Sequence, residues 1–506
     1  MSVSNLMTSV ADVKQNKSNV SKLAYRQITA DRGITGPDFP NGEIIYRFTI
    51  SGNSWWIPSK SFLSMRSSLY STGTTQPALG GDQAPAPGFM ACMFSQTEMR
   101  LDDRPLSRVN AFLPQVDALK TRLTKSKAWR DSVGKSTNFW EPDFDKRQAS
   151  IVSNIVIDEE EKVEQKVALT GNTIAIAAAG TLTGVGTLLN TELDVGDILV
   201  VNGVRYQVTT AATDATGTTS VVAPTVVDIP ATADFYKIVP RRPTSGAQQR
   251  NQVETTWQPP LGVFDISTPL PPGNYSLHLT PNTSNYKNAV FESVTNALTT
   301  QDVSVLNMYF NACVVEADNI PDDFTYFLDL SEITVQPKAL ATTNGEQVLD
   351  FSVPPTTYAI SVATQQKAAG SSTLYPPTKF TLQNNEEQTL TQQRVTYAGQ
   401  VQPSPDLQVT YTGAADHMTK LYVNNLMAAN GYDSDVLESK KEWLEMGILT
   451  HYTFLKPAGD ASTRVDLALT LNNPTSGNAM VFSHHSQVAE ITYQNGRVVS
   501  VRLEFA

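Results

Sequence analysis

The sequence predicts a mainly β protein built from two consecutive β-domains, and three observations carry that reading. Short apolar runs recur along the chain, separated by Pro, Gly, Asn and Asp clusters, which is the pattern of sandwiches and barrels. At 506 residues the chain exceeds what one hydrophobic core organises. Hydrophobic residues make up 40% and charged residues only 17%, below the roughly 25% of an average soluble protein, so the surface is polar without being densely charged. A formal net charge of −11 argues against a protein whose whole surface grips nucleic acid, and leaves room only for local contacts with polyanions.

Taken in order, residues 1–30 read as an N-terminal arm. The segment is polar, carries Lys14, Lys17, Lys22 and Arg26, and lacks the apolar centre of a signal peptide, so no secretion is expected. Strands are expected over 43–50, 88–94, 151–157, 274–280, 303–315, 324–330 and 347–353, then 394–398, 449–455, 464–471, 479–482, 488–493 and 497–505. The last pair flanks Asn495-Gly496, and Asn-Gly between β-branched runs is a strong hairpin signal because both residues accept positive φ. Only two stretches have helical spacing. Phe112, Val116, Leu119 and Leu123 form one, with Pro114 near its start. Leu421, Leu426 and Met427 mark the other, over 417–430, which Asn430-Gly431 ends as a left-handed cap.

Residues 162–244 lack Trp, are rich in Ala, Thr, Val and Gly, and hold a strand–turn–strand signal around Asn202-Gly203. This piece reads as an insert in the first β-domain. A second boundary is expected over 336–345, where Pro337 and Asn344-Gly345 interrupt the pattern, giving a first domain over 31–338 and a second over 339–506. The nearest approach to a membrane span, 173–189, is broken by Gly and Thr.

Signals of chemistry are missing. Cys92 and Cys313 sit in apolar runs and read as small buried hydrophobes. The histidines show no metal-ligand spacing, and the adjacent pair His484-His485 points to opposite faces of a strand, so no metal, cofactor or catalytic residue is assigned. Gly134-Lys135-Ser136 ends like a phosphate loop but lacks its opening Gly, since Trp129 stands there. Asp102-Asp103 and Asp322-Asp323 read as solvated turns, and the sequons at Asn274 and Asn282 as coincidental without a secretory route.

Several segments in order carry a resemblance. In the first half these are Phe48-Thr49-Ile50, Trp55 to Lys60, 104–129, Trp257 to Gly262, 309–316 and Phe327 to Ile333; in the second, Trp443 to Gly447, Tyr452-Thr453-Phe454, Ser462 to Val465 and Asn495 to Val498. Together they resemble the double jelly-roll major capsid proteins of icosahedral double-stranded DNA viruses, the group with tectivirus, adenovirus and virophage shells. The resemblance implies two consecutive jelly-roll β-sandwich domains with one short helix each, plus a small β-barrel-like insertion in the first. It further implies homotrimeric, pseudo-hexameric capsomers in an icosahedral virion, with neighbouring capsomers, penton and minor capsid proteins as partners. The insert over 162–244 would be an outward tower. Trp55, Trp56, Trp257 and Trp443 are expected in cores or interfaces.

The basic residues Lys120, Arg122, Lys125 and Lys127, joined by Arg130, Lys135 and the N-terminal arm, are expected to face the interior and touch genome phosphate or the lipid of an internal membrane. Two other classes fit the composition. A phage or viral tail or spike attachment protein shares the Thr/Asn-rich β pattern, and a carbohydrate-active β-sandwich would need paired carboxylates in an aromatic groove.

Overall fold

The computed structural model describes residues 20–31, 42–52, 54–71, 83–144, 146–147, 251–282, 289–293, 301–317, 323–366, 376–381, 390–403, 417–429, 435–456, 460–472, 474, 476–495 and 497–505, with segments of 164–240. The first sandwich uses β1 (Val20–Thr29), β2 (Ile44–Ile50), β3 (Ser54–Ser71), β4 (Phe94–Leu101), β5 (Arg104–Val109), β6 (Asn251–Trp257), β7 (Gly273–Pro281) and β8 (Gln301–Ala317). They pair as β1-β8-β3-β6 in one sheet and β2-β7-β4-β5 in the other. The second sandwich uses β9 (Phe324–Leu340), β10 (Gly345–Ser352), β11 (Thr357–Gln366), β12 (Leu390–Tyr397), β13 (Gln400–Gln402), β14 (Leu449–Thr453), β15 (Arg464–Leu471) and β16 (Gly477–Gln494). Its sheets are β9-β16-β11-β14 and β10-β15-β12-β13, so adding eight to each strand number of the first sandwich yields the second. Two facing four-stranded antiparallel sheets in this order are a jelly roll, and the chain contains it twice. A last strand, β17 (Arg497–Phe505), pairs with the far half of β16.

Turn chemistry fixes the tight connections. Asp102 and Asp103 both take positive φ, 46° and 61°, in the two-residue loop between β4 and β5. Ala398 and Gly399 do the same, at 51° and 74°, between β12 and β13, and Asn495 adopts 52° where β16 turns into β17. In both rolls the crossover from the fifth strand to the sixth carries the longer helices. In the first it holds α1 (Leu113–Thr124) and a helical run over 127–138 that includes a π turn at Arg130–Gly134; in the second it holds α2 (His417–Ala429) and α3 (Lys440–Glu445).

Four expectations are corrected. The segment 88–94 is not a strand: Phe89–Cys92 form a helical turn with all four residues buried, and an apolar run buried on every side has no period to betray it. Val20–Thr29 leaves the arm and pairs with β8, because apolar Leu23 and Ile28 lie within a β-compatible run. The rolls do not divide at 338. Strand β9 runs through Pro337, which lies opposite Met480 on the sheet's edge strand, where a missing N–H costs little, and the connection falls between Ala317 and Phe324. Helical turns beyond the two expected ones occur at Phe89–Cys92, 127–138 and Lys440–Glu445. The expected strand at 151–157 lies outside the described residues.

Residues Val156–Gln249 form a compact unit of their own. Eight strands pair antiparallel in the order Ile229–Thr232, Thr173–Ile176, Thr181–Val185, Thr219–Val222, Val204–Val208, Ile198–Val201, Phe235–Pro240 and Glu164–Ala168. The centre of this sheet is the hairpin at Asn202, whose φ is 48°, and its core contains Ile174, Leu182, Leu199 and Tyr206.

The remaining chain is a single unit because the rolls share a core. In the first roll, buried Trp56 donates from Nε1 to Ser61 Oγ at 2.8 Å and meets Phe48, Tyr275, Phe264 and Phe310. Trp257 stacks on Phe94 at 5.8 Å. The same cluster takes in Tyr326, Leu328 and Leu330 of β9 with Ala489, Ile491 and Tyr493 of β16, all from the second roll. Burial of these six side chains stabilises the joined rolls by an upper estimate of about 10 kcal/mol, far more than a hinge between mobile domains would carry.

Candidate functional site: the junction of the two rolls

The junction is built where the two helical crossovers meet. Helix α1 begins at Phe112, which takes φ 59°, and Pro114 occupies its first turn. Its apolar residues Ala118, Leu119 and Leu123 pack on Ala363 of β11, Met480 and Phe482 of β16, and Phe380. Arg122 projects from the same helix, fully surrounded. Its Nε donates to Glu438 Oε2 at 2.9 Å, and its Nη atoms donate to the carbonyls of Gly447 at 2.8 Å, Trp443 at 3.3 Å and Met446 at 3.5 Å. A cation from the first roll thus satisfies the free carbonyls at the C-terminal end of α3 in the second. The other end of α3 is held by a capping box: Ser439 Oγ accepts from Glu442 N, and Glu442 Oε2 accepts from Ser439 N at 2.8 Å.

Arg130, on the π turn, reinforces this grip by pairing with Glu442 at 2.9 Å. Despite partial burial, the Arg130 and Ser439 contacts hold the Glu442 carboxyl below its ordinary range. Burial pushes Glu438 up, and Arg122 opposes that shift. Gly447 makes the geometry possible. Its φ is 90°, and an added Cβ would lie 1.9 Å from the Phe380 carbonyl oxygen. Trp443 anchors the turn by donating to Leu449 O at 2.9 Å.

A second stitch joins three segments. Glu292 binds Arg147 through one oxygen and Lys379 of the second roll through the other, at 2.8 Å for the lysine. Arg147 also donates to Pro85 O at 2.9 Å and Pro142 O at 2.8 Å, so the buried guanidinium is surrounded by acceptors. Two buried carboxyls complete the junction. Asp117 of α1 accepts from Trp257 Nε1 at 2.7 Å, and burial pushes its pKa up to about 7 against the Trp257 bond and nearby Lys120 and Lys125. Glu332 of β9 accepts from Ser107 of β5 and is likewise pushed by burial up to about 7.

The structure revises the expected basic surface. Arg122 cannot face an anionic layer because it is buried against Glu438, and Arg130 is buried against Glu442. Lys120 pairs with Asp265 at 2.6 Å, and Lys135 with Asp131 and Glu141. Lys127 is exposed, while Lys125 lies over the Trp129 ring at 5.8 Å. Arg122 and Arg130 read as part of a surface stripe because their acidic partners, Glu438 and Glu442, lie some three hundred residues away in sequence. Residues 1–19 of the arm lie outside the described residues.

Cys92 and Cys313 are buried free thiols. His484 and His451 share Ser361 Oγ, each at 2.8 Å, whereas His485 contacts Ser483 O. Burial pushes His451 down to about 4 and holds His484 well below the usual imidazole range. No sequence signal pointed to this trio, because strand pairing alone aligns Ser361 with Phe482 and His451. Among the described residues no three His, Cys, Asp or Glu side chains gather to hold a metal ion, and no helix is long and apolar enough to cross a membrane.

No protein-family profile matches the chain, and no curated protein does. Among solved structures it is similar to a chain in the cryo-EM structure of the Sputnik virophage, at 10% identity and a TM-score of 0.50, covering 98% of this chain and 91% of that one. The faustovirus major capsid protein is similar at 9% identity and 0.45, covering 98% and 94%, and the mavirus major capsid protein at 9% and 0.42, covering 97% and 92%. At 10% identity the virophage likeness is one of fold, and it agrees with the strand order: the chain is a double jelly roll.

Proposed function

We propose that the protein is a viral major capsid protein, a structural rather than catalytic chain that closes in threes into pseudo-hexameric capsomers of an icosahedral shell. The observation that carries this reading is the repeated strand order locked by a shared core. Three copies of a two-roll chain present six similar rolls around one axis, which gives a near-hexagonal outline from a threefold ring. A fixed angle between the rolls is what such a tile requires, and Arg122, Glu292 and the common apolar core supply it. The fold likeness to a chain of a virophage supports the same role.

In this reading the protein belongs to the virion, its partners are its own copies with penton and minor capsid proteins, and Val156–Gln249 is a surface module in the fifth-to-sixth crossover of the first roll. Contact with genome or membrane would fall to the N-terminal arm and Lys127, since Arg122 is committed to the junction. Negative-stain images of the purified protein test the proposal. Hexagonal particles about one capsomer wide are expected; elongated fibres or knobs would favour an attachment protein instead.

A further inference from the structure

Beside the junction, a cavity of about 340 Å³ opens between α1, the π turn and the chain just after β6. Phe62, Trp129, Trp257 and Pro259 form an apolar patch within an otherwise mostly polar lining, and its charges are mixed. Lys120 is neutralised by Asp265. Lys60 and Lys125 also line the cavity, and neither has a carboxylate within ion-pair distance among the described residues. Asp117 contributes a carboxyl whose Oδ1 serves Trp257 and whose Oδ2 has no hydrogen-bond partner.

We infer that this cavity is a socket for an acidic peptide segment from a second copy of the chain, an inference that rests on the shell reading. The apolar patch with two lysines that lack a carboxylate partner among the described residues fits an apolar side chain next to a carboxylate. Asp265, held by Lys120, offers its carboxylate to peptide N–H groups, and the mixed charge of the lining is a poor match for a continuous phosphate backbone. Trp129 is no platform for a nucleobase either, because its ring already packs on Gly134, where an added Cβ would come within 2.7 Å, and Lys125 lies over it. The second copy is the occupant of matching charge. With 49 acidic and 38 basic residues, every copy brings surplus carboxylates to its neighbours.

Carbodiimide coupling joins lysine directly to carboxylate and tests the pairing. Particles assembled from an equal mixture of ¹⁴N and ¹⁵N protein, coupled, digested and read by mass spectrometry, should give mixed-isotope crosslinks from Lys60 or Lys125 to Asp or Glu of another copy. The double variant Lys60→Glu/Lys125→Glu should keep wild-type oligomer mass and melting temperature while needing at least tenfold more protein to assemble further. The variant Lys60→Gln/Lys125→Gln should show a smaller shift in the same direction, and serves if charge reversal perturbs folding. Crosslinks confined to one chain, crosslinks only to another protein, or assembly of both variants at the wild-type concentration would overturn the socket and leave the shell reading intact. Wild-type protein that forms no higher assembly would overturn both.

Discussion

The two jelly rolls share one strand order but differ in what their fifth-to-sixth crossovers carry. The first roll places α1, the π turn and the inserted unit there; the second places α2 and α3 among the described residues. The sandwich is set by alternation along strands and tolerates divergence beyond visible repeat, whereas the crossover is where a roll acquires a specific task. Here the two crossovers grip each other, so the element that differs most between the rolls also helps to join them.

The largest expected effect comes from the tightest approach on the second roll's side. Replacing Gly447 with alanine forces a Cβ against the Phe380 carbonyl at a φ of 90°, and should lower stability by more than about 4 kcal/mol, read as a collapse of the denaturant midpoint or loss of soluble protein. From the first roll's side, Arg122→Met leaves Glu438 and three carbonyls buried without their cation. A loss of about 3–5 kcal/mol in chemical denaturation is expected, with much of it recovered in Arg122→Met/Glu438→Leu, where the second charge is also gone.

Asp117→Asn separates burial from charge. With its folded pKa near 7 and an unfolded value near 4, the native Asp117 keeps a proton that the unfolded chain has lost, so stability falls as pH rises between those values. The asparagine removes that slope and retains an acceptor for Trp257. At pH 8 it should be more stable than wild type by about 1–2 kcal/mol, and the gain should vanish near pH 4, as pH-dependent melting would show. The smallest effect is expected from the crossover's largest part. Replacing 162–244 with a short Gly-Ser link should change the stability of the rolls by no more than about 1 kcal/mol, since loop length acts only logarithmically. Loss of folding on that deletion would mean that the insert belongs to the main core.

Local chemistry made some of this legible in the sequence. Asn495, Asn202 and Asp102-Asp103 mark turns because positive φ favours those residue types wherever they sit. The helical spacing of Val116, Leu119 and Leu123 located α1 to within a residue. The duplicated strand order was not legible from the residues themselves, since pairing such as β1 with β8 joins segments almost three hundred residues apart and leaves no local trace. Pro337 misled for a related reason: whether proline ends a strand depends on whether that strand lies at an edge, which only the assembled sheet decides. Arg122 misled most, because a cation on an exposed stripe and a cation buried against a distant glutamate look alike along the chain.

Solution mass tests the central claim, two rolls locked into one tile that closes in threes, more directly than any substitution. Multi-angle light scattering of the purified protein, with folding checked by its melting transition, should return three times the 55.2 kDa chain mass. A folded, monodisperse species of 55.2 kDa at the same concentration would contradict the account.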